Sequence, residues 1–234
     1  MEFAKPLQRG RLIRRYKRFL ADVMMDDGRE VTAHVANPGT MLGLNDPGLP
    51  VWLEPNDDPK RALRFAWRLV ELEGGWAGVD ANLPNRLVRE ALAAGGVPAL
   101  AGYTTFRPEV RTGKASRIDF LAIGPGLPDA WLEVKNVHLS RRAGLAEFPD
   151  CVTARGARHL EELAALVAAG ARGIMLYVVQ RTDCTAMTLA ADLDPGYARA
   201  FAAAQAVGVE AFVQGTAISP GGLALAGPMA FIAP

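Results

Sequence analysis

Apolar and polar residues alternate through the first third of the chain. Phe19, Ala21, Val23 and Met25 recur at every second position, the period of a half-buried strand. Asp26-Asp27-Gly28 then supplies hairpin turn chemistry. Val31, Ala33 and Val35 alternate against Thr32 and His34, and a second turn follows at Asn37, Pro38, Gly39 and Thr40. The stretches 49–55, 64–73 and 76–80 read as further strands, the last two joined through Gly74-Gly75. About five short strands with tight turns predict a small barrel or sandwich.

The period changes near residue 80. Pro84 suits the first turn of a helix, Leu87, Val88, Ala91 and Leu92 share one side, and Gly95-Gly96 ends it. Residues 116–124 and 130–137 read as strands around a Gly/Pro-rich turn. A long helix is expected over 150–170, with Leu160, Leu163, Leu166 and Val167 as its apolar stripe. Residues 173–180 form a near-continuous apolar run, the pattern of a strand buried on both faces. A helix at 195–208 and a strand at 209–219 complete the pattern. The order helix–strand–strand–helix–strand–helix–strand predicts an α/β domain with a mixed sheet. Two domains are expected, a barrel over 1–80 and an α/β domain over 81–234.

Composition narrows the class. Half of the chain is apolar and 22% is charged, which suits a globular protein with a core of its own. The net charge of +1 gives no global attraction to a polyanion, so any nucleic-acid contact must come from local patches. Cys151 and Cys184 form no CxxC pair and no zinc-like cluster. A reducing, cytoplasmic location is therefore expected. The first residues lack the apolar core of a signal peptide, and no apolar run reaches the ~18 residues of a membrane span.

Against this pattern, three charges stand inside the strands of 116–137. Asp119 precedes Glu133 by a gap of thirteen residues, and Glu133 and Lys135 are two apart, so they share a face. Pairing of the two strands would bring the carboxylates close together. Like charges at short range repel unless a cation lies between them. Hard oxygen ligands suit Mg²⁺ or Mn²⁺, and an adjacent lysine could act on a metal-bound water or on phosphate charge. That set serves metal-assisted phosphodiester hydrolysis. The alternative is a cross-strand ion pair of Asp119 with Lys135. Glu90, on the preceding helix, could add a third carboxylate or could pair with Arg86 on a solvated face.

Two further patches bear on phosphate. The helix predicted over 150–170 carries Thr153, Arg155 and His159 in its N-terminal half, and helix starts attract anions. Arg117 and Asn136 flank the charged pattern, and Gln180 ends the buried strand, where each could reach the same site. The N-terminal strand holds Arg9, Arg11, Arg14, Arg15, Lys17 and Arg18, six basic residues within ten positions, interleaved with Tyr16 and Phe19. Cations neutralise phosphates and aromatics stack bases, so this strand is expected to contact nucleic acid rather than only balance nearby acids.

Seven stretches in order carry a resemblance: "RGRLIRRYKRFLADV", "TAHVANPGTM", "NRLVREAL", "SRIDFLA…WLEVKNV", "FPDCVTARGARHLEEL", "VVQRTD" and "ISPGGLAL". Together they resemble the sugar fermentation stimulation protein A (SfsA) family nearly end to end. The resemblance implies an N-terminal OB-like barrel followed by a PD-(D/E)xK nuclease-like domain. It implies DNA binding with little sequence preference, DNA ahead of RNA, and an indirect link to sugar (maltose) use. Asp119, Glu133 and Lys135 would form the nuclease-type core, with Glu90 as the helix carboxylate. The alternative is a DNA-binding regulator that keeps the fold without turnover.

Overall fold

The computed structural model describes residues 1–112 and 116–233. The alternating N-terminal segments form β1 (Gln8–Tyr16), β2 (Leu20–Met25), β3 (Glu30–His34), β4 (Pro50–Pro55) and β5 (Phe65–Leu72). They run in the order β3-β2-β1-β4-β5, and parallel pairing of β3 with β5 closes the barrel. Closure leaves no unpaired edge among these five strands. Every second residue fills the interior, with Ala21, Val23, Ala33, Val51, Leu53 and Trp67 completely buried. Of the barrel or sandwich that the strand pattern predicts, the closed barrel is what forms. A short β6 (Gly75–Gly78) extends from β5 and reaches the second domain, where the Gly78 amide donates to the Gln180 carbonyl at 2.9 Å.

The second domain opens with α1 (Leu83–Ala93), led by the expected proline and stopped just before Gly95, whose φ is +68°. Its main sheet comprises β7 (Thr105–Thr112), β8 (Ser116–Ile123), β9 (Ala130–Val137), β12 (Arg172–Val179), β14 (Glu210–Ser219) and β15 (Gly222–Pro228). The order is β15-β14-β12-β9-β8-β7, parallel at the centre and antiparallel at both sides. A smaller sheet, β10-β11-β13-β16, consists of Leu139–Arg142, Gly144–Phe148, Cys184–Leu189 and Ala230–Ile232. Val88 and Leu92 of α1 pack on one face of the main sheet against Leu132, Val134, Ile174 and Leu176. The other face carries α2 (Ala154–Ala168), α3 (Pro195–Ala206) and the smaller sheet, through Leu160, Leu163, Phe201, Ala146 and Met187. As its apolar run predicts, β12 is buried on both faces.

Two expectations change. The helix expected from residue 150 begins at Ala154, because the Thr153 side chain accepts the Gly156 amide and caps it there. The strands β7, β10, β11, β13, β15 and β16 were not expected. Their patterns explain why: β7 is an edge strand with Pro108 and alternating charges, and β10 and β16 are only four and three residues long. Among the described residues, no helix is long and apolar enough to cross a membrane.

One residue sets the closeness of β1 and β2. A Cβ on Gly10 would lie 2.7 Å from both the Met24 carbonyl oxygen and Val23 Cγ1. Neither the backbone of β2 nor a core valine can give way cheaply. Gly10→Ala should therefore destabilise the chain by about 1–3 kcal/mol, read as a lower urea midpoint at unchanged slope. An unchanged midpoint would show that the barrel wall yields there.

Candidate functional site

The site forms where the β8–β9 ladder opens. Phe120, Leu121 and Ala122 pair with Leu132, Trp131 and Ala130, and the pairing stops before Asp119 and Glu133. A regular strand would place Ile118 and Phe120 on one face. Here Ile118 belongs to the core under α2, and Phe120 to the core under α1. The strand rotates at Asp119, opposite Glu109, which has a φ of +53°. The Asp119 carboxylate takes over a backbone role: Oδ2 accepts the Val134 amide at 2.8 Å. Its Oδ1 accepts from Asn85 Nδ2 at 2.7 Å.

Glu133 and Lys135 lie on the same face of β9, opposite Met175 and Tyr177 of β12. Lys135 Nζ donates to Glu133 Oε1 at 2.6 Å and lies 3.1 Å from His159 Nδ1. His159 Nδ1 also bonds Glu133 Oε1 directly. Its other ring nitrogen accepts from Arg155 Nε at 3.3 Å. Glu133 is 3% exposed, and its Oε2 is buried with no hydrogen-bond partner.

The two carboxylates differ electrostatically. Burial, then the negative charge of Glu133, pushes Asp119 up to about 6. Burial also acts upward on Glu133, but the bond to His159 and the charge of Lys135 outweigh it and hold Glu133 below its ordinary value. A buried, ionised glutamate therefore adjoins an aspartate whose ionisation it opposes. The alternative of a direct Asp119–Lys135 pair is not what forms, since Lys135 bonds Glu133.

The other expected residues separate into those brought to this site and those taken elsewhere. Arg155 and His159 belong to it. Thr153 caps α2, and its amide donates to Asp194. Arg117 is exposed, 3.7 Å from Glu109. Asn136 and Gln180 point away from Glu133: Gln180 Nε2 donates to Asn136 Oδ1 at 2.7 Å and to the Asp80 carbonyl. Alternation along β9 puts Asn136 on the face opposite Lys135, which removes it and its partner from the carboxylates. Glu90 lies 3.0 Å from the N-terminal ammonium and is half exposed, so α1 does not bring it to Asp119. Among the described residues, no group of three or more His, Cys, Asp or Glu side chains could hold a metal ion.

Asn85 was missed by sequence reasoning. Its signal was present, since Asn85, Val88 and Leu92 fall on one helical stripe and the stripe begins with an amide. A second missed feature links the domains. Asp150 accepts from the Met41 amide at 3.1 Å and from Thr40 Oγ1, and lies 3.3 Å from His138 Nε2. His138 Nδ1 is 3.0 Å from Asn136 Nδ2.

The basic strand is less available than its sequence suggests. Arg9 pairs with Glu71 at 2.9 Å, and Arg14 pairs with Asp22 at 2.8 Å while lying over the Tyr16 ring. Arg15 donates to the carbonyls of Arg18, Asn37, Gly39 and Thr40, and Arg11 to that of Gly48. Tyr16 bonds Asp22. Lys17 and Arg18, at the exposed hairpin tip, make no side-chain bond among the described residues.

Comparison with known proteins gives a consistent result. The profile described as "SfsA N-terminal OB domain" matches residues 13–79, and that described as "Sugar fermentation stimulation protein RE domain" matches 82–222. A sugar fermentation stimulation protein homolog of Ruegeria pomeroyi is 62% identical over 227 residues, covering 97% of this chain and 99% of the relative. One from a Jannaschia species is 59% identical over 231 residues, covering 98% and 96%. Among solved structures, SfsA of Pyrococcus furiosus, described as a complex with Ca²⁺, superposes with a TM-score of 0.87 at 26% identity, covering 99% of this chain and 98% of that one. With barrel and α/β domain both matched, the chain belongs to the SfsA family of sugar fermentation stimulation proteins.

Proposed function

We propose that this chain binds nucleic acid and hydrolyses phosphodiester bonds with a divalent cation, Mg²⁺ or Mn²⁺, held by Asp119 and Glu133. The observation that carries the reading is the unpartnered buried Oε2 of Glu133 beside an Asp119 whose ionisation is opposed by burial and then by the charge of Glu133. Leaving a buried carboxylate oxygen unsatisfied is costly, and a cation at that oxygen would relieve both the missing bond and the repulsion. The Ca²⁺ complex of the Pyrococcus relative supports a divalent site in this fold. With two carboxylates only, the remaining ligands would be waters and substrate oxygens, as Mg²⁺ sites commonly have.

In the proposed chemistry a cation held by Asp119 and Glu133 would supply an activated water and offset developing phosphate charge. The chain supplies the rest. Val134 and Asn85 fix the Asp119 carboxylate. Lys135, anchored on Glu133, presents its remaining protons to the attacking water or to a phosphate oxygen. His159 braces Glu133 and Lys135 together, and Arg155 offers charge to a phosphate. No residue of the site is suited to reading a sugar, so a link to sugar (maltose) use would be indirect. The diversion of Glu90 to the N-terminus favours one second reading, a DNA-binding regulator that keeps the fold without turnover.

Labelled DNA and RNA, incubated with and without Mn²⁺, separate the two. Metal-dependent product that falls by roughly 100-fold or more in Lys135→Ala, with Mn²⁺ binding heat retained, is expected. Retention of DNA without product under any divalent metal supports the regulator instead, and cleavage that survives Lys135→Ala shows that the site is elsewhere.

Asp119 gives a second expectation. Its folded value is raised above the ordinary 3.8, to about 6. Its stabilising contribution is thus full below its ordinary value and is lost as pH rises through about 6. In EDTA, Asp119→Asn should gain thermal stability relative to the unsubstituted chain between about pH 4 and about pH 7. Saturating Mn²⁺ at the upper pH should reverse the order. A pH-independent difference would mean that Asp119 carries no such strain.

A further inference from the structure

A second charged recess lies where the barrel meets α1. It is a cleft of about 460 Å³ between the ends of β3, β4 and β5 and the first turn of α1. That volume falls within the rough range of 300–1,000 Å³ for small-molecule sites. Each of its three carboxylates has an ion-pair contact. Arg68 bridges Glu54 and Asp80, and Lys5 pairs with Asp57. Two guanidiniums remain, Arg61 and Arg86, both exposed and neither with an ion-pair partner among the described residues. The cleft therefore presents two unpaired cations, with four cationic and three carboxylate side chains along its lining for a net charge of +1.

Its rim is aromatic. His34 lines the cleft and stacks on Phe19 with ring centroids 6.5 Å apart and planes 17° from parallel. Phe19 is 44% exposed, so part of its ring is open to solvent. Beside it the hairpin tip carries Lys17 and Arg18. Flat π-faces beside cations form a platform for unstacked bases.

The cleft is linked to Asp119 through α1. Arg86 follows Asn85, whose amide holds Asp119 Oδ1 at 2.7 Å.

We propose that this cleft is a nucleotide subsite for single-stranded nucleic acid. Arg61 and Arg86 take backbone phosphates, and Phe19 with His34 stacks a base. The proposal deepens the hydrolase reading above and rests on it for the direction of the strand, from the hairpin tip through the cleft to Asp119.

The test is fluorescence anisotropy on the full chain in EDTA. The probes are labelled single strands of roughly 12 nucleotides, DNA and RNA, and the same DNA as a blunt duplex. Single strands should bind more tightly than duplex. Arg61→Gln/Arg86→Gln and Phe19→Ala should each weaken single-strand binding by about tenfold, with melting temperatures unchanged. The double variant should also flatten the salt dependence by roughly one to two units of slope. Unaltered affinity in both variants, or duplex bound as tightly as single strand, overturns the subsite. Because no metal is present, the result is independent of turnover. Cleavage by Mn²⁺-loaded protein with unaltered variant binding sinks the cleft alone, and weakened variant binding without cleavage sinks the hydrolase reading alone.

Discussion

Glu133 is almost wholly removed from water, yet it sits next to a second carboxylate, and the arrangement around it follows from making that tolerable. A buried charge is affordable only when paired and hydrogen-bonded. Lys135 and His159 converge on one of its oxygens, Oε1. The other, Oε2, is left without a partner. Asp119, across the opening of the ladder, has its proton affinity raised by burial and then by the residual repulsion. Holding these groups requires a rigid frame, and the buried parallel pair β9 and β12 provides it.

The barrel is tied to the same frame. From Asn136, one residue beyond Lys135, contacts run through His138 to Asp150 and on to the Thr40–Met41 backbone. A second route runs through Gln180 to the Asp80 carbonyl, at the junction between barrel and α1. The faces of β9 thus divide the work. Glu133 and Lys135 project toward α2, while Asn136 fixes the barrel. The turn "NPGT" and the segment "FPDCVT", far apart in sequence, meet here: Arg15 bonds the carbonyls of the turn, and Asp150 bonds its next amide.

Much of this was legible in the chain. Alternation gave the barrel strands, the 3.6-residue stripe gave α1 and α2, and the apolar run gave β12. The Glu133/Lys135 face followed from spacing alone. What stayed hidden depends on three-dimensional pairing. Asp119 reaches the Val134 amide only because β8 rotates there, which no periodicity records. Glu90 looked available because an isolated helix says nothing of the N-terminal ammonium that meets it. The arginines of β1 looked free because their partners, Asp22 and Glu71, come from other strands. The short strands β10 and β16 hold too few residues to display a period.

The central claim is that the unpartnered oxygen of Glu133 and the strained Asp119 are complementary to one divalent cation. The most direct measurement is a crystal soaked in Mn²⁺, with data collected to reveal anomalous scattering from manganese. The account predicts a peak between Glu133 Oε2 and Asp119, at roughly 2.0–2.2 Å from carboxylate oxygens as hard octahedral cations require. A soaked crystal with no peak there, and with Glu133 Oε2 bonded instead to an ordered water or a protein donor, would contradict it.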